Sequence, residues 1–172
     1  LGTIERFSNN LESAQRLLEK ATTLDPKNVE LFIQLSGVYE QQDNLKKAIE
    51  LSEGFVELNY KSSDGLSHLA TLYKKQGQLT KAIQTLKTAV KNSSSKGDVL
   101  YDVAALQIEL GEMNSAIMSL ERAISWDPYN IPAYIQLTRL YPNAEKAIDL
   151  VDKLEKAAGN NELVASLKGD VY

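Results

Sequence analysis

Alanine recurs at a fixed interval along this chain. Ala14, Ala48, Ala82 and Ala116 are each separated from the next by 34 residues. Such repetition constrains the fold strongly, because each repeat must form the same supersecondary unit and bury its apolar face against its neighbours. The same interval separates the members of two further sets, which are Leu1, Leu35, Leu69, Val103 and Leu137, and Pro26, Tyr60, Ser94 and Pro128. We therefore expect an array of short repeats over most of the 172 residues.

The apolar residues inside one repeat indicate two helices. Spacings of three and four residues are typical of amphipathic helices. In the segment 29–62 these spacings occur at Phe32, Leu35, Val38 and Tyr39, and again at Leu45, Ala48, Ile49 and Val56. Gly77 and Gly111 lie in polar breaks between such stretches, where glycine ends a helix in the left-handed conformation. Asn28 and Asn130 precede the following stretch and are suited to cap its first turn. The pattern predicts a helix, a turn and a second helix in each repeat.

The repeat resembles the tetratricopeptide repeat family. That family's 34-residue pattern has a large residue at position 4, leucine and a small residue at 7 and 8, tyrosine at 11 and alanine at 20. The segment 63–96 matches it with Leu66, Leu69, Ala70, Tyr73 and Ala82. The resemblance implies an all-α protein, an α-solenoid in which antiparallel helix-turn-helix repeats form a right-handed superhelix.

The register divides the chain into one continuous array. Full repeats are expected at 29–62, 63–96 and 97–130, between a truncated repeat at 1–28 and a shortened one at 131–161. The segment 162–172 corresponds to the start of a further repeat. Since both ends fall within a repeat, we expect the array to continue in a longer parent protein.

The residue inventory argues against catalysis. The chain has no cysteine and one histidine, His68, which excludes disulfides, cysteine nucleophiles and metal sites built on pairs of histidines. His68 fits a helix surface better than a catalytic role, and the single glycines at helix junctions form no phosphate-binding loop. We therefore expect no catalytic residue, no metal and no cofactor. No apolar run approaches the ~20 residues of a membrane span, and the net charge of −4 disfavours nucleic acid as a partner.

The resemblance also implies a binding site. In tetratricopeptide arrays the first helix of each repeat lines a concave groove, so the chain is expected to bind a peptide or helix of another protein without catalysing a reaction. Carried over by repeat position, the groove residues are Ile33, Gln34, Ser67, His68, Thr71, Lys74, Lys75, Tyr101, Asp102, Ala105, Ile135, Gln136 and Arg139.

Charge is unevenly distributed among the repeats. The segment 63–96 has a net charge of +5 and lies between segments with net charges of −3 and −5. One interpretation is charge complementarity between neighbouring repeats on a solvated surface, where each ion pair contributes ~0–1 kcal/mol. The other is that His68, Lys74 and Lys75 attract an acidic segment of the partner.

Two other functions fit the same pattern. The chain could be an accessory repeat region of an enzyme such as a glycosyltransferase, or a self-assembly scaffold of a secretion or polysaccharide-export system. Repeats that are cut at the ends should leave apolar faces uncovered, and such faces favour association. We therefore expect end-to-end self-association through Leu11, Leu18, Val164 and Leu167. The sequence leaves the compartment and the identity of the partner open.

Overall fold

The chain is helical throughout the part that the structure describes. A computed structural model describes residues 2–141, 144–159, 164–165 and 168. Its helices are α1 (Gly2–Leu24), α2 (Val29–Gln41), α3 (Leu45–Leu58), α4 (Ser63–Lys75), α5 (Leu79–Asn92), α6 (Lys96–Glu109), α7 (Met113–Trp126), α8 (Ile131–Leu140) and α9 (Ala144–Ala158). They form two compact units, an N-terminal unit, Leu1–Asn92, with α1 to α5, and a C-terminal unit, Ser93–Tyr172, with α6 to α9. The predicted start of a further repeat, 162–172, lies largely outside the described residues.

The helix boundaries follow the predicted caps and turns. The Asn28 side chain accepts a hydrogen bond from the Leu31 N–H at 3.3 Å, and the Asn130 side chain accepts one from the Ala133 N–H at 3.0 Å. Each bond satisfies a backbone donor that has no partner within its helix. Gly77 and Gly111 both have φ of 79°, in the left-handed region where glycine carries no Cβ penalty. The caps and glycine turns predicted from the sequence are confirmed.

The first helix departs from the repeat pattern. The turn between α2 and α3 contains Asp43 with φ of 57°. The residue 34 positions earlier is Asn9, where the register would place a matching break, yet α1 continues through it as one helix of 23 residues. No glycine or proline lies between Ser8 and Asn10. Asparagine tolerates either conformation, so nothing in this stretch compels the helix to end.

A completely buried alanine recurs on the second helix of each helix pair. Ala48, Ala82 and Ala116 have no exposed surface, and they lie on α3, α5 and α7, which pack against α2, α4 and α6 respectively. A methyl group lets the two backbones approach, and larger side chains such as the fully buried Leu72 and Leu120 fill the core around it. Each fully buried leucine contributes about 1.5–3 kcal/mol.

Tyrosine–glutamate hydrogen bonds connect the second helix of one repeat to the first helix of the next. In the N-terminal unit the bonds run from the Tyr39 hydroxyl to Glu19 Oε1 at 2.9 Å and from the Tyr73 hydroxyl to Glu53 Oε1 at 2.5 Å. In the C-terminal unit the Tyr141 hydroxyl donates to Glu121 Oε1 at 2.7 Å. Burial, reinforced by the carboxylate acceptor, raises the pKa of Tyr73 and of Tyr141 to about 12. The repeat pattern matches Tyr39 and Tyr73 with each other but does not reveal their acceptors.

Candidate functional site

The predicted groove residues of the N-terminal unit lie on two helices that contact each other. α2 and α4 contact each other. We call the surface formed by the predicted groove residues of these two helices the α2–α4 face. Ile33, Ser67 and His68 are half-buried on this face. The remaining predicted residues are exposed, and they are Gln34, Thr71, Lys74 and Lys75.

A hydrogen bond joins the two helices at the centre of this face. His68 Nε2 on α4 lies 2.8 Å from the hydroxyl oxygen of Ser36 on α2, and Ser36 is completely buried. Burial lowers the pKa of His68, an effect that Glu40 opposes and Lys75 reinforces. His68 is therefore neutral at neutral pH and acts as a polar link between helices. His68 is partly exposed on its helix, as predicted, and the small Ser36 leaves room for the imidazole to approach α2 as well.

An ion pair joins the same helices near their C-terminal ends. Lys75 on α4 pairs with Glu40 on α2, and the Lys75 side chain is about half exposed. On α2 itself, the Gln34 amide donates to Glu30 at 2.9 Å. The Lys75–Glu40 pair is an instance of the predicted complementarity between a basic repeat and its acidic neighbour. It also means that an acidic partner would have to compete with Glu40 for Lys75.

The predicted residues of the C-terminal unit lie on α6 and α8. We call their surface the α6–α8 face, on which Tyr101, Ala105, Ile135 and Gln136 are half-buried while Asp102 and Arg139 are exposed. The side chain of Asn130, which caps α8, also donates to Asp98 Oδ1 of α6 at 3.2 Å. Ile135 and Tyr101 are therefore only partly covered by the rest of the chain.

The apolar end faces differ from the prediction. Leu11 and Leu18 are half-buried, and Val164 is fully buried, so the expectation that Val164 is exposed is wrong. The Val164 side chain is covered by other residues of the chain and leaves no apolar surface exposed. Leu167 is outside the described residues. End-to-end self-association stays a prediction.

The described residues contain neither a metal site nor a membrane span. Nowhere among them do three or more His, Asp or Glu side chains come together in a way that could hold a metal ion. None of the described helices combines the length and the apolar character needed to cross a bilayer. The candidate surfaces are therefore the α2–α4 face of the N-terminal unit and, separately, the α6–α8 face of the C-terminal unit.

These features define a class of protein, an all-α helical-repeat solenoid. A family model described as tetratricopeptide repeat matches residues 1–28, and one described as anaphase-promoting complex, cyclosome, subunit 3 matches residues 41–123. These matches and the helical-repeat fold support assignment of the chain to the tetratricopeptide repeat family. Proteins of this family are generally non-catalytic scaffolds.

Solved structures of other repeat proteins share the fold. The structure of MamA is 25% identical in sequence, with a TM-score of 0.68 over 99% of this chain and 97% of that one. The PilF protein of Pseudomonas aeruginosa is 18% identical, with a TM-score of 0.70 over 99% of this chain and 78% of that one. YrrB, described as a TPR protein with an unusual peptide-binding site, is 13% identical, with a TM-score of 0.63 over 90% of each chain. No curated protein sequence matches this chain.

Proposed function

We propose that the chain is a non-catalytic protein-interaction module that binds a peptide or helix of a partner on the α2–α4 and α6–α8 faces. This proposal rests mainly on the two polar contacts that join α2 to α4. The His68–Ser36 hydrogen bond and the Lys75–Glu40 ion pair hold the two helices together while Ile33 remains partly exposed beside them. A surface that is already ordered loses little conformational entropy on binding.

Membership of the tetratricopeptide repeat family supports the proposal, since such domains bind proteins or peptides. The description of YrrB names a peptide-binding site in that protein. The three apolar anchors that we assign are Ile33, Tyr101 and Ile135. Anchors of this kind, desolvated between polar neighbours, commonly cost over ~1 kcal/mol of binding free energy when they are truncated.

The test begins with selection of binding peptides from a displayed peptide library on the immobilised chain. Each selected peptide is then titrated against Tyr101→Ala and against Tyr129→Ala, a matched control. Tyr129 is exposed and lies in the turn between α7 and α8, away from the proposed anchors. We expect Tyr101→Ala to weaken binding about fivefold or more and the control to leave it unchanged. Equal affinity in both variants would show that the α6–α8 face is not the binding surface.

We further propose that the partner segment is acidic and lies along Lys74 and Lys75. Both lysines are exposed in the last turn of α4. Because exposed charges act mainly on association rate and salt dependence, the double variant Lys74→Ala with Lys75→Ala should weaken binding at low salt and have little effect at high salt. A loss that is independent of salt would contradict the electrostatic role.

A further inference from the structure

Large apolar side chains are exposed where repeats of the N-terminal unit meet. Leu24 at the end of α1 is 87% exposed, Leu58 at the end of α3 is 73% exposed, and Tyr60 in the following turn is 65% exposed. Leu24 and Leu58 occupy the same repeat position, 34 residues apart. Single exposed apolar residues are common, but clusters with polar edges mark interaction surfaces. These side chains are not on the α2–α4 face, because they lie at the turns that join one repeat to the next.

Two of these turns border a cleft of about 280 Å³, which we call the turn cleft. It is lined by Lys27, Leu58, Asn59, Tyr60, Lys61 and Ser62. The Asn59 side-chain amide donates to the carbonyl oxygen of Pro26 at 3.2 Å, which holds the first turn against the second. Asn92 donates in the same way to the carbonyl oxygen of Tyr60 at 3.4 Å. The turn cleft is therefore held in shape by hydrogen bonds to the backbone of both turns.

All charged side chains that line the turn cleft are positive. Its charged side chains are Lys27 and Lys61, and no carboxylate lines it. Neither ammonium group forms an ion pair with a carboxylate in the part of the chain that the structure describes. Lys61 Nζ lies 5.6 Å from the centroid of the Tyr60 ring. One lysine therefore lies on each turn, next to the apolar side chains of Leu58 and Tyr60.

We propose that the turn cleft binds an acidic segment of a partner protein, with one apolar side chain against Leu58 and carboxylates paired with Lys27 and Lys61. Charge complementarity selects an acidic ligand, since two lysines without carboxylate partners face a site that contains no acid. The turn cleft is open and shallow, and its volume of about 280 Å³ suits one apolar side chain of a peptide, whereas a bilayer surface would not fill it. The turn cleft is a separate surface, so this proposal holds whether or not the α2–α4 face binds a ligand.

The test uses a synthetic peptide that bears one leucine followed by two glutamates, with amide chemical shifts observed by NMR. Two analogues accompany it, one with glutamines in place of the glutamates and one with alanine in place of the leucine. The protein variant is Leu58→Ala with Lys61→Ala. Its matched control is Leu17→Ala with Lys20→Ala, which alters the same residue pair at the same spacing on the exposed side of α1. Since all four side chains are exposed, both variants should fold, which circular dichroism checks.

We expect the shifts to map to residues 58–62 and the affinity to fall about tenfold in the Leu58–Lys61 variant but to stay unchanged in the control. Both analogue peptides should bind more weakly than the parent peptide. Equal binding of the glutamine analogue, or equal loss in the control variant, would overturn the proposal. It would also be overturned if Leu58→Ala with Lys61→Ala abolished binding to phosphatidylserine vesicles, or dimerisation, while peptide binding persisted. An Ile33→Ala variant separates the two sites, because it should weaken binding at the α2–α4 face alone.

Discussion

Gly97 lies where α6 comes closest to the end of α7, and an added methyl group there should be costly. A Cβ built on Gly97 would be 2.7 Å from the Cβ of Asp127 and 3.2 Å from the carbonyl oxygen of Ala123. Gly97 is buried, and both contacts are with atoms at or next to the backbone. Neither atom can move by side-chain rotation alone, so Gly97→Ala must shift the end of α7 relative to α6.

The expected change in the free energy of unfolding is the difference between two opposing effects, overpacking and helix propensity. Overpacking of a close contact typically costs 1–3 kcal/mol, whereas replacing glycine by alanine inside a helix contributes up to ~1 kcal/mol in favour of folding. In the first turn of α6 the second term is smaller, so we expect the free energy of unfolding to fall by about 1–2 kcal/mol. The matched control is Gly54→Ala, in the interior of α3, where an added Cβ has no heavy atom within 4 Å. That substitution should stabilise the chain by ~0.5–1 kcal/mol.

Urea unfolding measures both variants. The fluorescence of Trp126, the single tryptophan, reports on the C-terminal unit next to the substituted contact, and circular dichroism reports on all helices. We expect Gly97→Ala to lower the midpoint of the Trp126 transition without a change in its slope. An increase in stability for Gly97→Ala, equal to that for Gly54→Ala, would refute the close approach of α6 and α7.

Three further substitutions and one control test the packing and the titrating groups, each by urea unfolding. Ala82→Leu should cost about 1–3 kcal/mol because Ala82 is completely buried, whereas Gln84→Leu on the exposed side of α5 should change stability by less than ~0.5 kcal/mol. Because burial lowers the pKa of His68, the unfolded chain takes up its proton first, so stability should fall as the pH drops below about 6.5. His68→Gln should remove that component. Because the pKa of Tyr73 is raised from 10.0 to about 12, its contribution should be complete below pH 10 and lost between pH 10 and 12, and Tyr73→Phe should remove this part of the loss while the part due to Tyr141 remains.

The sequence predicted most helix boundaries because the turn residues repeat. Gly77 and Gly111 must adopt positive φ to end their helices, and the same requirement falls on Asp43 in the preceding repeat. α3, α5 and α7 accordingly begin 34 residues apart, at Leu45, Leu79 and Met113. In the truncated first repeat no turn occurs near Asn9, the position that corresponds to Asp43, since asparagine permits a turn without requiring one.

The candidate site was predictable as a set of positions but not as a set of contacts. Ile33 and His68 were assigned by their repeat positions, which the resemblance to the tetratricopeptide repeat family places on the groove side of the first helices. Spacing does not reveal that the His68 ring meets Ser36 across 32 residues of sequence, because that contact depends on the distance between α2 and α4 and on a rotamer. The turn cleft was missed for a related reason. Its two lysines come together only when Asn59 binds the backbone of the preceding turn.

A tyrosine, a glutamate and a lysine contact one another at three places in this chain. At the corresponding place in the fourth repeat, all three residues are replaced. Where the tyrosine–glutamate bond occurs, a lysine Nζ also lies above the tyrosine ring, at 5.4 Å for Lys47 over Tyr39, 5.3 Å for Lys81 over Tyr73 and 5.7 Å for Lys146 over Tyr141. For the fourth repeat the three corresponding positions hold Gln107 and Ser115 within the repeat and Lys87 on the second helix of the preceding one. Gln107 is buried and accepts a hydrogen bond from the Ser119 hydroxyl at 2.7 Å. Without the phenol, a glutamate at position 87 would lack its donor and a lysine at position 115 would lack its aromatic face. The replacement of all three side chains together is therefore the pattern expected of residues that stabilise one another.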